Sequence, residues 1–460
     1  MTDTVDIISP IDGSVYASRP LASSAEIAAA TAKARAAQRD WRAVPTGERV
    51  QLVSRMVDEL LAMNDEIVPE LAWQMGRPIR FGGEKRGVEE RSRHMLSIAA
   101  EALAPMQRPD KPGFTRFISR EPLGLVLVVA PWNYPFLTAA NSIIPGLVAG
   151  NAVLLKHASQ TLLAGERFAE AAKRAGLPAG LFQNLVMGHA DTEKLIGSGA
   201  IDHVNFTGSV EGGRRIEKAA AGTFATLGLE LGGKDPAFVR ADADLDNAAE
   251  NLVDGSFFNS GQSCCGVERI YVHESAYDGF VERFIENAKG WTLGDPLDEN
   301  TIVGPMARGN FADHVRQQIA EAVRAGARRH LDMSHPKDQP GSPWLAPEVL
   351  TGVNHQMSVM REESFGPVVG IMKVADDEEA IALMNDSPYG LTASIWTADL
   401  DAAARIGAEV ETGTVFANRC DYLDPALVWT GVKDTGKGGA LSEIGYHNLT
   451  QPKSFHLKQA

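Results

Sequence analysis

Two segments of the chain carry side chains that can perform covalent chemistry. Cys264 lies in the stretch GQSCCG, whose glycines allow the close backbone approach that favours a reactive thiolate. Glu230 lies in LELGGK, and a carboxyl group among Leu and Gly tends to have a raised pKa, which suits a general base. Each has a simpler interpretation as well. Most lone cysteines are small buried apolar residues, as we expect for Cys265, and Glu230 can instead pair with Lys234.

Two further side chains have the chemistry to bind an oxyanion or a ribose. Asn133 lies in PWNYP, where two prolines fix the loop, so its amide can serve as a preorganised hydrogen-bond donor. Lys156 follows a short apolar run, and a lysine at the carboxyl end of a strand faces the crevice in which open α/β sheets bind ligands. The alternatives are a turn residue for Asn133 and a solvated lysine for Lys156.

Two more motifs are compatible with a nucleotide. In FTGSVEGG, residues 206–213, a strand ends, Gly208 turns the chain and a helix begins near Val210, so free N–H groups and the helix dipole favour a pyrophosphate. The spacing matches neither GxGxxG nor a Walker sequence, and an ordinary turn is the alternative. In EESFGP, Glu363 can bind ribose hydroxyls and Phe365 can pack on a flat ring; a surface acidic turn is the alternative.

Alternating apolar runs and amphipathic segments predict the elements that position these residues. Helical patterns over 162–175 and 210–221 separate short runs that are typical of strands buried on both faces. This alternation predicts an α/β fold with a doubly wound parallel sheet, followed after residue 233 by a second α/β series. The runs are LGLVLVVA from residue 123, AVLLK ending at 156, NLVMG ending at 188, HVNFTGS ending at 209 and TLGLELGG ending at 233.

Three segments lie outside this alternation. An Ala-rich stretch over 25–41 predicts an N-terminal helix that Ser24 can cap. Residues 115–121 and 453–458 alternate as exposed strands do, and we expect each to pair with something outside the main sheets.

Composition and charge exclude several classes of protein. A chain of 460 residues predicts two or three domains, and a net charge of −15 argues against binding to nucleic acid or to an anionic membrane. The three cysteines form neither a disulfide framework nor a CxxC zinc site. The start of the chain lacks the basic region of a secretory signal. We therefore expect the protein in a reducing compartment, the cytoplasm. Residues 122–155 carry no charge, but their prolines and glycines argue against a membrane span.

Taken together and in this order, the motifs resemble those of the aldehyde dehydrogenase superfamily over essentially the whole chain. They are PWNYP, the strand before Lys156, FTGS with Gly213, LELGGK, FFNSGQSCC and EESFGPV, with Cys264 placed 34 residues after Glu230. The resemblance implies an NAD(P)-dependent, non-phosphorylating enzyme with a Rossmann-like cofactor domain, a catalytic domain and a small β bridging domain. The implied boundaries are 1–105 and 122–229, then 230–444, with oligomerisation segments at 106–121 and 445–460, and the implied assembly is a homodimer or homotetramer.

The same resemblance implies roles for individual residues. Cys264 matches the nucleophile and Glu230 the general base, while Asn133 and the backbone N–H of Cys264 match the oxyanion hole. NAD+ or NADP+ is the implied cofactor, with Lys156 at the adenosine ribose, the turn from Gly208 to Gly213 at the pyrophosphate, and Glu363 at the nicotinamide ribose. The full set of implied cofactor contacts is Pro131, Trp132, Lys156, Ser159, Phe206, Gly208, Ser209, Gly213, Leu231, Glu363 and Phe365.

The implied reaction is oxidation of an aldehyde through a cysteine thiohemiacetal and a thioester. Glu230 would then activate the water that hydrolyses the thioester to a carboxylic acid. Two alternatives are a CoA-acylating relative, which would not need Glu230, and a non-catalytic protein on the same fold. The presence of both Glu230 and Cys264 argues against each.

Three positions depart from the family pattern. Ser159 stands where many members have a Glu that repels a 2′-phosphate, so NADP+ becomes plausible. VWTG at 428–431 replaces the usual PFGG, and Ala440 replaces a Glu that could relay a proton.

By alignment to the motifs, the residues that would line the substrate pocket are apolar and aromatic. They include no obvious arginine for a second carboxylate, since the direction of Arg419 is unknown, so an uncharged aldehyde is expected. The predicted lining residues are Tyr134, Phe258, Leu423 and Trp429.

Overall fold

In the computed structural model, which describes residues 3–331 and 333–459, helices and strands alternate along most of the chain. The strands are β1 (Thr4–Ile8), β2 (Val15–Pro20), β3 (Met106–Gln107), β4 (Phe114–Pro122), β5 (Leu125–Val129), β6 (Ala152–Lys156), β7 (Phe182–Asn184), β8 (His203–Thr207), β9 (Thr226–Glu230), β10 (Asp235–Val239), β11 (Val267–His273), β12 (Arg328–Arg329), β13 (Glu348–Thr351), β14 (Val368–Val374), β15 (Tyr389–Gly390), β16 (Thr392–Trp396), β17 (Thr414–Ala417), β18 (Val432–Lys433), β19 (Gly436–Lys437) and β20 (Thr450–Lys458). The helices are α1 (Ser24–Trp41), α2 (Thr46–Ala62), α3 (Asn64–Met75), α4 (Lys85–Ala102), α5 (Pro135–Val148), α6 (Leu162–Arg174), α7 (His189–Gly197), α8 (Val210–Ala220), α9 (Leu245–Phe257), α10 (Glu274–Ala288), α11 (Gly309–Arg324), α12 (Ser358–Arg361), α13 (Asp377–Asn385), α14 (Leu400–Glu409) and α15 (Ser442–Asn448). Short 3₁₀ helices cover Ile79–Phe81, Ser159–Thr161 and Phe258–Gly261.

The first large sheet is the doubly wound sheet that the sequence predicts. Its strand order is β19-β9-β8-β5-β6-β7, and all neighbours are parallel except β19, which pairs antiparallel with β9. From β5 the chain proceeds to β6 and β7 on one side, then returns to β8 and β9 on the other. The order therefore reverses between β5 and β8, and the crevice outside the carboxyl ends at such a reversal is where open α/β sheets bind ligands.

The second large sheet has the order β12-β13-β14-β11-β10-β16-β17, parallel throughout except for β12. Its central strands β10 and β11 are almost entirely buried. Residues 231–234 connect the carboxyl end of β9 directly to the amino end of β10. The carboxyl ends of the strands in the first sheet therefore lie next to the amino ends of those in the second. The candidate residues lie along this junction.

The two predicted outlying strands pair with each other. β20 lies antiparallel to β4 from Thr450 opposite Pro122 to Lys458 opposite Phe114, and β3 completes a three-stranded sheet. The rings of Phe117 and Phe455 stack across the pair with centroids 4.5 Å apart. Both segments therefore pair outside the two large sheets, and the partner of each is the other. The other edge of β20 has no strand partner among the described residues.

Two local predictions need correction. The cap of α1 is Ser23, not Ser24, because Ser23 has Glu26 three residues later and the two form a reciprocal capping box. The run NLVMG is not a strand, because β7 ends at Asn184 and the segment continues as a connection whose Met187 is buried.

The uncharged segment 122–155 forms β5, α5 and most of β6, as predicted. Over residues 3–331 and 333–459, no helix combines the length and apolar composition that crossing a membrane requires.

Candidate active site

Cys264 lies in a tight turn between the 3₁₀ helix Phe258–Gly261 and β11. Asn259, Ser260 and Gly261 all have positive φ, at 53°, 59° and 69°, so the chain is sharply folded before the cysteine. A Cβ at Gly261 would overlap the carbonyl oxygen of Gly366, which explains the glycine. The result is a cysteine held by rigid backbone and partly exposed to solvent.

The neighbouring thiol of Cys265 has a different environment. Cys265 is only 4% exposed, and its Sγ donates a hydrogen bond to Asp421 Oδ1 at 2.8 Å. A hydrogen bond with Cys264, followed by burial, raises the pKa of the Cys265 thiol well above its usual value. Cys265 therefore stays protonated, and Cys264 is the better candidate nucleophile.

Asn133 is held beside the cysteine turn from both its side chain and its backbone. It is 4% exposed, and its Nδ2 donates to the carbonyl of Gln262 at 3.2 Å, two residues before Cys264. Its own carbonyl accepts hydrogen bonds from Arg77 Nη2 at 2.6 Å and Asn259 Nδ2 at 3.2 Å. Among the described residues the backbone N–H of Cys264 donates to no acceptor. A preorganised amide and a free N–H at one turn are the two donors of an oxyanion hole.

Glu230 is the last residue of β9 and lies at the junction of the sheets. Burial raises the pKa of its carboxyl group to about 7, and the charge of Arg91 and a hydrogen bond with Thr207 partly oppose this. The suggested pairing with Lys234 does not form. The Lys234 ammonium donates instead to Glu268 Oε2 at 2.5 Å and to Ser364 Oγ at 2.9 Å, which leaves the Glu230 carboxyl free to act as a base.

Gly232 and Gly233 bring Glu230, Cys264 and Glu363 together. A Cβ at Gly233 would overlap the carbonyl of Cys264, and one at Gly232 would lie 2.5 Å from Glu363 Oε2. The N–H of Gly233 donates to Glu363 Oε1 at 2.9 Å. Burial raises the pKa of Glu363 to about 8. These glycines are needed because three backbone segments meet where a side chain would not fit.

The start of α8 can hold an anion. Ser209 caps the helix by accepting from the N–H of Gly212 at 3.1 Å, and Cβ atoms at Gly212 and Gly213 would lie only 2.6 Å from the side chains of Phe206 and Leu231. The glycines keep this helix terminus bare, so its N–H groups and dipole face the crevice. The turn has the form that a pyrophosphate requires.

Lys156, at the end of β6, is 7% exposed, and its ammonium group has no hydrogen-bond or ion-pair partner among the described residues. Burial lowers the pKa of its ammonium group to about 8. A buried cation without an anionic partner is unfavourable unless a ligand supplies one, so this position fits the hydroxyls or phosphate of a nucleotide ribose.

Other cations surround this end of the crevice. Arg308 donates from Nη2 to Ser159 Oγ at 3.4 Å and from Nε to Gln160 Oε1 at 2.9 Å. The pKa of His189 is lowered, first by burial and then by the positive charges of Lys156, Arg215 and Arg308. On a chain of net charge −15, this convergence of cations is local and favours a phosphate.

Aromatic rings line the other end. The ring of Trp132 stacks on Phe311 with centroids 5.4 Å apart and meets the edge of Phe365 at 5.5 Å. The N–H of Phe365 donates to Glu268 Oε1 at 2.8 Å, which fixes this residue at its positive φ of 48°. Pro131, which precedes Trp132, is buried.

The predicted pocket residues lie in different settings. Arg77 lies over the ring of Tyr134 at 4.8 Å, and Phe258 meets Phe81 edge-on at 4.9 Å; both predicted residues, like Leu423, are partly exposed. Trp429 is only 5% exposed and packs into the core of the first sheet. Arg419 lies on the surface with its guanidinium 3.4 Å from the ring centroid of Tyr422.

Sequence reasoning missed several charged residues around the cleft. Arg77 and Glu84 form a buried ion pair at 2.5 Å, and Arg77 also donates to the carbonyl of Asn133. Asp421 accepts a hydrogen bond from Cys265, and the charge of Arg91 interacts with those of Cys264 and Glu230. None belongs to a glycine-rich or apolar motif, and the sequence RSRH around Arg91 has the composition of a solvated helix face.

Comparison with known proteins agrees with this geometry. The profile described as "Aldehyde dehydrogenase family" matches residues 1–455. A succinate-semialdehyde dehydrogenase (NADP+) from Mycolicibacterium paratuberculosis is 34% identical over 98% of this chain and 96% of its own. Betaine aldehyde dehydrogenase 2 from Rhizobium meliloti is 33% identical over 98% and 93%. The crystal structure of an NAD-dependent aldehyde dehydrogenase from Sinorhizobium meliloti superposes with a TM-score of 0.93 at 32% identity, covering 99% of this chain and 92% of that one.

Proposed function

Because the chain belongs to the aldehyde dehydrogenase family, we propose that it oxidises an aldehyde to a carboxylic acid with NAD+ or NADP+ as the electron acceptor. The observation that carries the proposal is the junction of the two sheets, where a partly exposed Cys264, a fixed Asn133 and a Glu230 of raised pKa meet. Fold alone would not support an activity, but nucleophile, oxyanion donors and base together do.

Cys264 attacks the aldehyde carbonyl and forms a thiohemiacetal. The amide of Asn133 and the free N–H of Cys264 stabilise the oxyanion, which is the charge that grows in the transition state. When bound, the nicotinamide cofactor supplies the hydride acceptor. The chain then holds a thioester on Cys264.

Glu230 completes the reaction as general base. It accepts a proton from the water that attacks the thioester, and hydrolysis releases the acid and restores the thiol. A pKa of about 7 leaves Glu230 sufficiently charged at neutral pH to accept that proton. A CoA-acylating enzyme would not need this base, and a non-catalytic protein would need neither it nor Cys264.

The residues at the adenosine end support use of NADP+. Ser159 presents a hydroxyl rather than a carboxylate, and Lys156 and Arg308 place positive charge on either side of it. A 2′-phosphate would gain charge-assisted hydrogen bonds from these groups. Ser209 and Gly213 would hold the pyrophosphate, and Glu363 the nicotinamide ribose.

The names of the relatives include a semialdehyde that carries a carboxylate and an aldehyde that carries a cation. They therefore do not decide which aldehyde this chain oxidises.

We also propose the division into a cofactor domain (1–105 and 122–229), a catalytic domain (230–444) and bridging segments (106–121 and 445–460). The open outer edge of β20 supports a homodimer or homotetramer, because an exposed strand edge is a template for pairing with a second copy.

The test is a panel of aldehydes assayed with each cofactor by nicotinamide absorbance. Cys264→Ala should abolish oxidation while cofactor binding, followed by thermal shift, persists. Cys265→Ala is the matched control and should keep most of the activity, since its thiol is buried and bonded to Asp421. Activity that survives Cys264→Ala but not Cys265→Ala would assign the nucleophile to the wrong cysteine.

A further inference from the structure

Helix α4 places an unpaired guanidinium at the catalytic junction. Arg91 lies in the middle of this helix and is partly exposed. Among the described residues its side chain makes no hydrogen bond and no ion pair within 4.0 Å. By contrast, Arg93 on the same helix donates to Ser54 Oγ at 2.7 Å and pairs with Asp58. Arg91 is therefore not tied to the surface as its neighbour is.

The face of α4 that carries Arg91 packs on the start of α5. Glu84, seven residues earlier, accepts hydrogen bonds from the backbone N–H groups of Phe136 at 3.0 Å and Leu137 at 2.7 Å. A Cβ at Gly87 would lie 2.7 Å from Leu137 Cδ2. Gly87 and Arg91 are four residues apart on α4 and therefore share one face of the helix. Arg91 thus continues the face that covers the first turn after Asn133.

The charges that act on Arg91 include those of the proposed nucleophile and the proposed base. They are the thiols of Cys265 and Cys264 and the carboxyl groups of Glu84 and Glu230. Arg91 in turn acts on Asp421 in the loop before Leu423. Arg91 therefore lies near enough to Cys264, Glu230 and Asp421 for their charges to interact, although it forms no hydrogen bond or ion pair with any of them.

The acidic groups nearby do not neutralise Arg91 by direct contact. Glu84 pairs with Arg77 at 2.5 Å, and Asp421 Oδ1 accepts from Ser263 and Cys265 at 3.2 and 2.8 Å. Glu230 forms no ion pair with it within 4.0 Å. Burial lowers the pKa of Arg91 even though the residue is partly exposed, and no bonded partner offsets this effect. Such an arrangement is costly unless a ligand supplies the missing anion.

We propose that Arg91 binds an anionic group of the substrate, and that the substrate is an aldehyde carrying a carboxylate. This inference rests on the proposed function, because it assumes that the aldehyde carbon lies at Cys264. A guanidinium is planar and presents parallel donors, so a carboxylate can accept two hydrogen bonds from it. The uncharged aldehyde expected from the sequence is thereby replaced by an acid aldehyde, and a cationic aldehyde is disfavoured.

The substrate test compares succinic semialdehyde with butanal, an uncharged aldehyde of the same chain length. The wild type should prefer the semialdehyde. Arg91→Met should lower kcat/KM for the semialdehyde by roughly 10- to 100-fold, mainly through KM, the range expected for a hydrogen-bonded charge. Butanal oxidation should change by less than about threefold, and the Arg91→Lys variant should recover part of the loss. Arg93→Met is the matched control and should behave as wild type, because the Arg93 side chain contacts Ser54 and Asp58 of α2.

A second test does not depend on turnover. Iodoacetate and iodoacetamide both alkylate a thiol, but only iodoacetate carries a carboxylate. The ratio of their rates at Cys264 should fall at least ~3-fold in Arg91→Met, because the attraction for the anionic reagent is lost. Cys264→Ala gives the background from the other thiols.

If Arg91→Met lowers kcat/KM equally for the semialdehyde and for butanal, Arg91 only positions Glu230 or Cys264, and the proposal is overturned. A wild type that prefers butanal would overturn it too. If the wild type oxidises neither aldehyde, the proposed function is in question, and the alkylation ratio decides the role of Arg91 separately. An unchanged ratio there rejects an anion site beside Cys264.

Discussion

Replacing Glu230 with Gln separates the two halves of the proposed reaction. Glutamine has nearly the same shape but cannot accept a proton from water, so the thioester should form and then persist. We expect a burst of reduced cofactor equal to the number of active sites, followed by steady-state turnover reduced by ~10²–10⁴, the usual contribution of general-base catalysis.

The pKa of Glu230 gives the wild-type enzyme a matching pH dependence. Burial raises this pKa from 4.5 to about 7, and the charged form is the active base. About half of the groups are charged at pH 7 and roughly one-tenth at pH 6, so turnover should fall about fivefold over that unit while the burst persists. A glutamate with its ordinary pKa would stay charged at both values and give a flat profile.

The raised pKa of Glu230 also predicts how stability depends on pH: as pH rises, activity increases but the stability of the folded protein decreases. A carboxyl group whose pKa is raised by folding stabilises the protein fully below its unfolded pKa and loses that contribution as pH rises through the folded pKa. For a shift from 4.5 to about 7, the charged group costs ~3 kcal/mol at pH 8. Glu230→Gln should therefore raise the unfolding temperature at pH 8 and change it little near pH 5.

Stopped-flow absorbance of the reduced nicotinamide measures burst and steady state, and calorimetry at the two pH values measures stability. Steady-state turnover that is unchanged in Glu230→Gln would remove Glu230 from the mechanism. A variant that loses both burst and steady state, or that gains no stability at pH 8, would refute the argument from burial.

Three further expectations follow from the site and the sheets. Asn133→Ala should lower kcat by ~10²–10³, the loss for one oxyanion donor, and a KM effect alone would argue for a merely structural amide. Ser159→Glu should lower kcat/KM for NADP+ by ~10-fold or more, about 1.4 kcal/mol, because the new carboxylate repels a 2′-phosphate and can pair with Arg308. The kcat/KM for NAD+ should hold or improve. An unchanged ratio of the two kcat/KM values would mean that other residues set the choice of cofactor. Light scattering at micromolar concentration should give a dimer or tetramer, and a mass near 49.4 kDa would contradict assembly through β20.

The sequence singled out the three proposed catalytic residues because each lies in a motif of glycines or prolines that constrains the backbone. Cys264 and Glu230 are flanked by glycines that other backbone segments require, and Asn133 lies between prolines. The buried strands were equally readable, since continuous apolar runs are typical of parallel sheets covered on both faces.

What the sequence left open depends on contacts between distant segments. Alternation identified β4 and β20 as strands, but not that they pair with each other across more than 300 residues of chain. Whether Glu230 pairs with Lys234 or stays unpaired could not be decided from the sequence, because the answer depends on Glu268, whose carboxylate binds the Lys234 ammonium group. Arg91 was missed because an arginine on a polar helix face has the same local pattern whether it meets water or a substrate.

The pairing of β19 with β9 has a consequence for protein synthesis. Gly436 pairs with Glu230, the N–H of Leu231 donates to the carbonyl of Thr435 at 2.9 Å, and Thr435 Oγ1 donates to the carbonyl of Gly232 at 2.8 Å. The strand that ends in the base is therefore completed by residues from the last tenth of the chain. A nascent polypeptide can fold β5 to β8 early, but its base and thiol cannot be fixed until the ribosome has released residues 435–437. Premature termination before that point should yield chains that bind nucleotide poorly or not at all and never hydrolyse a thioester.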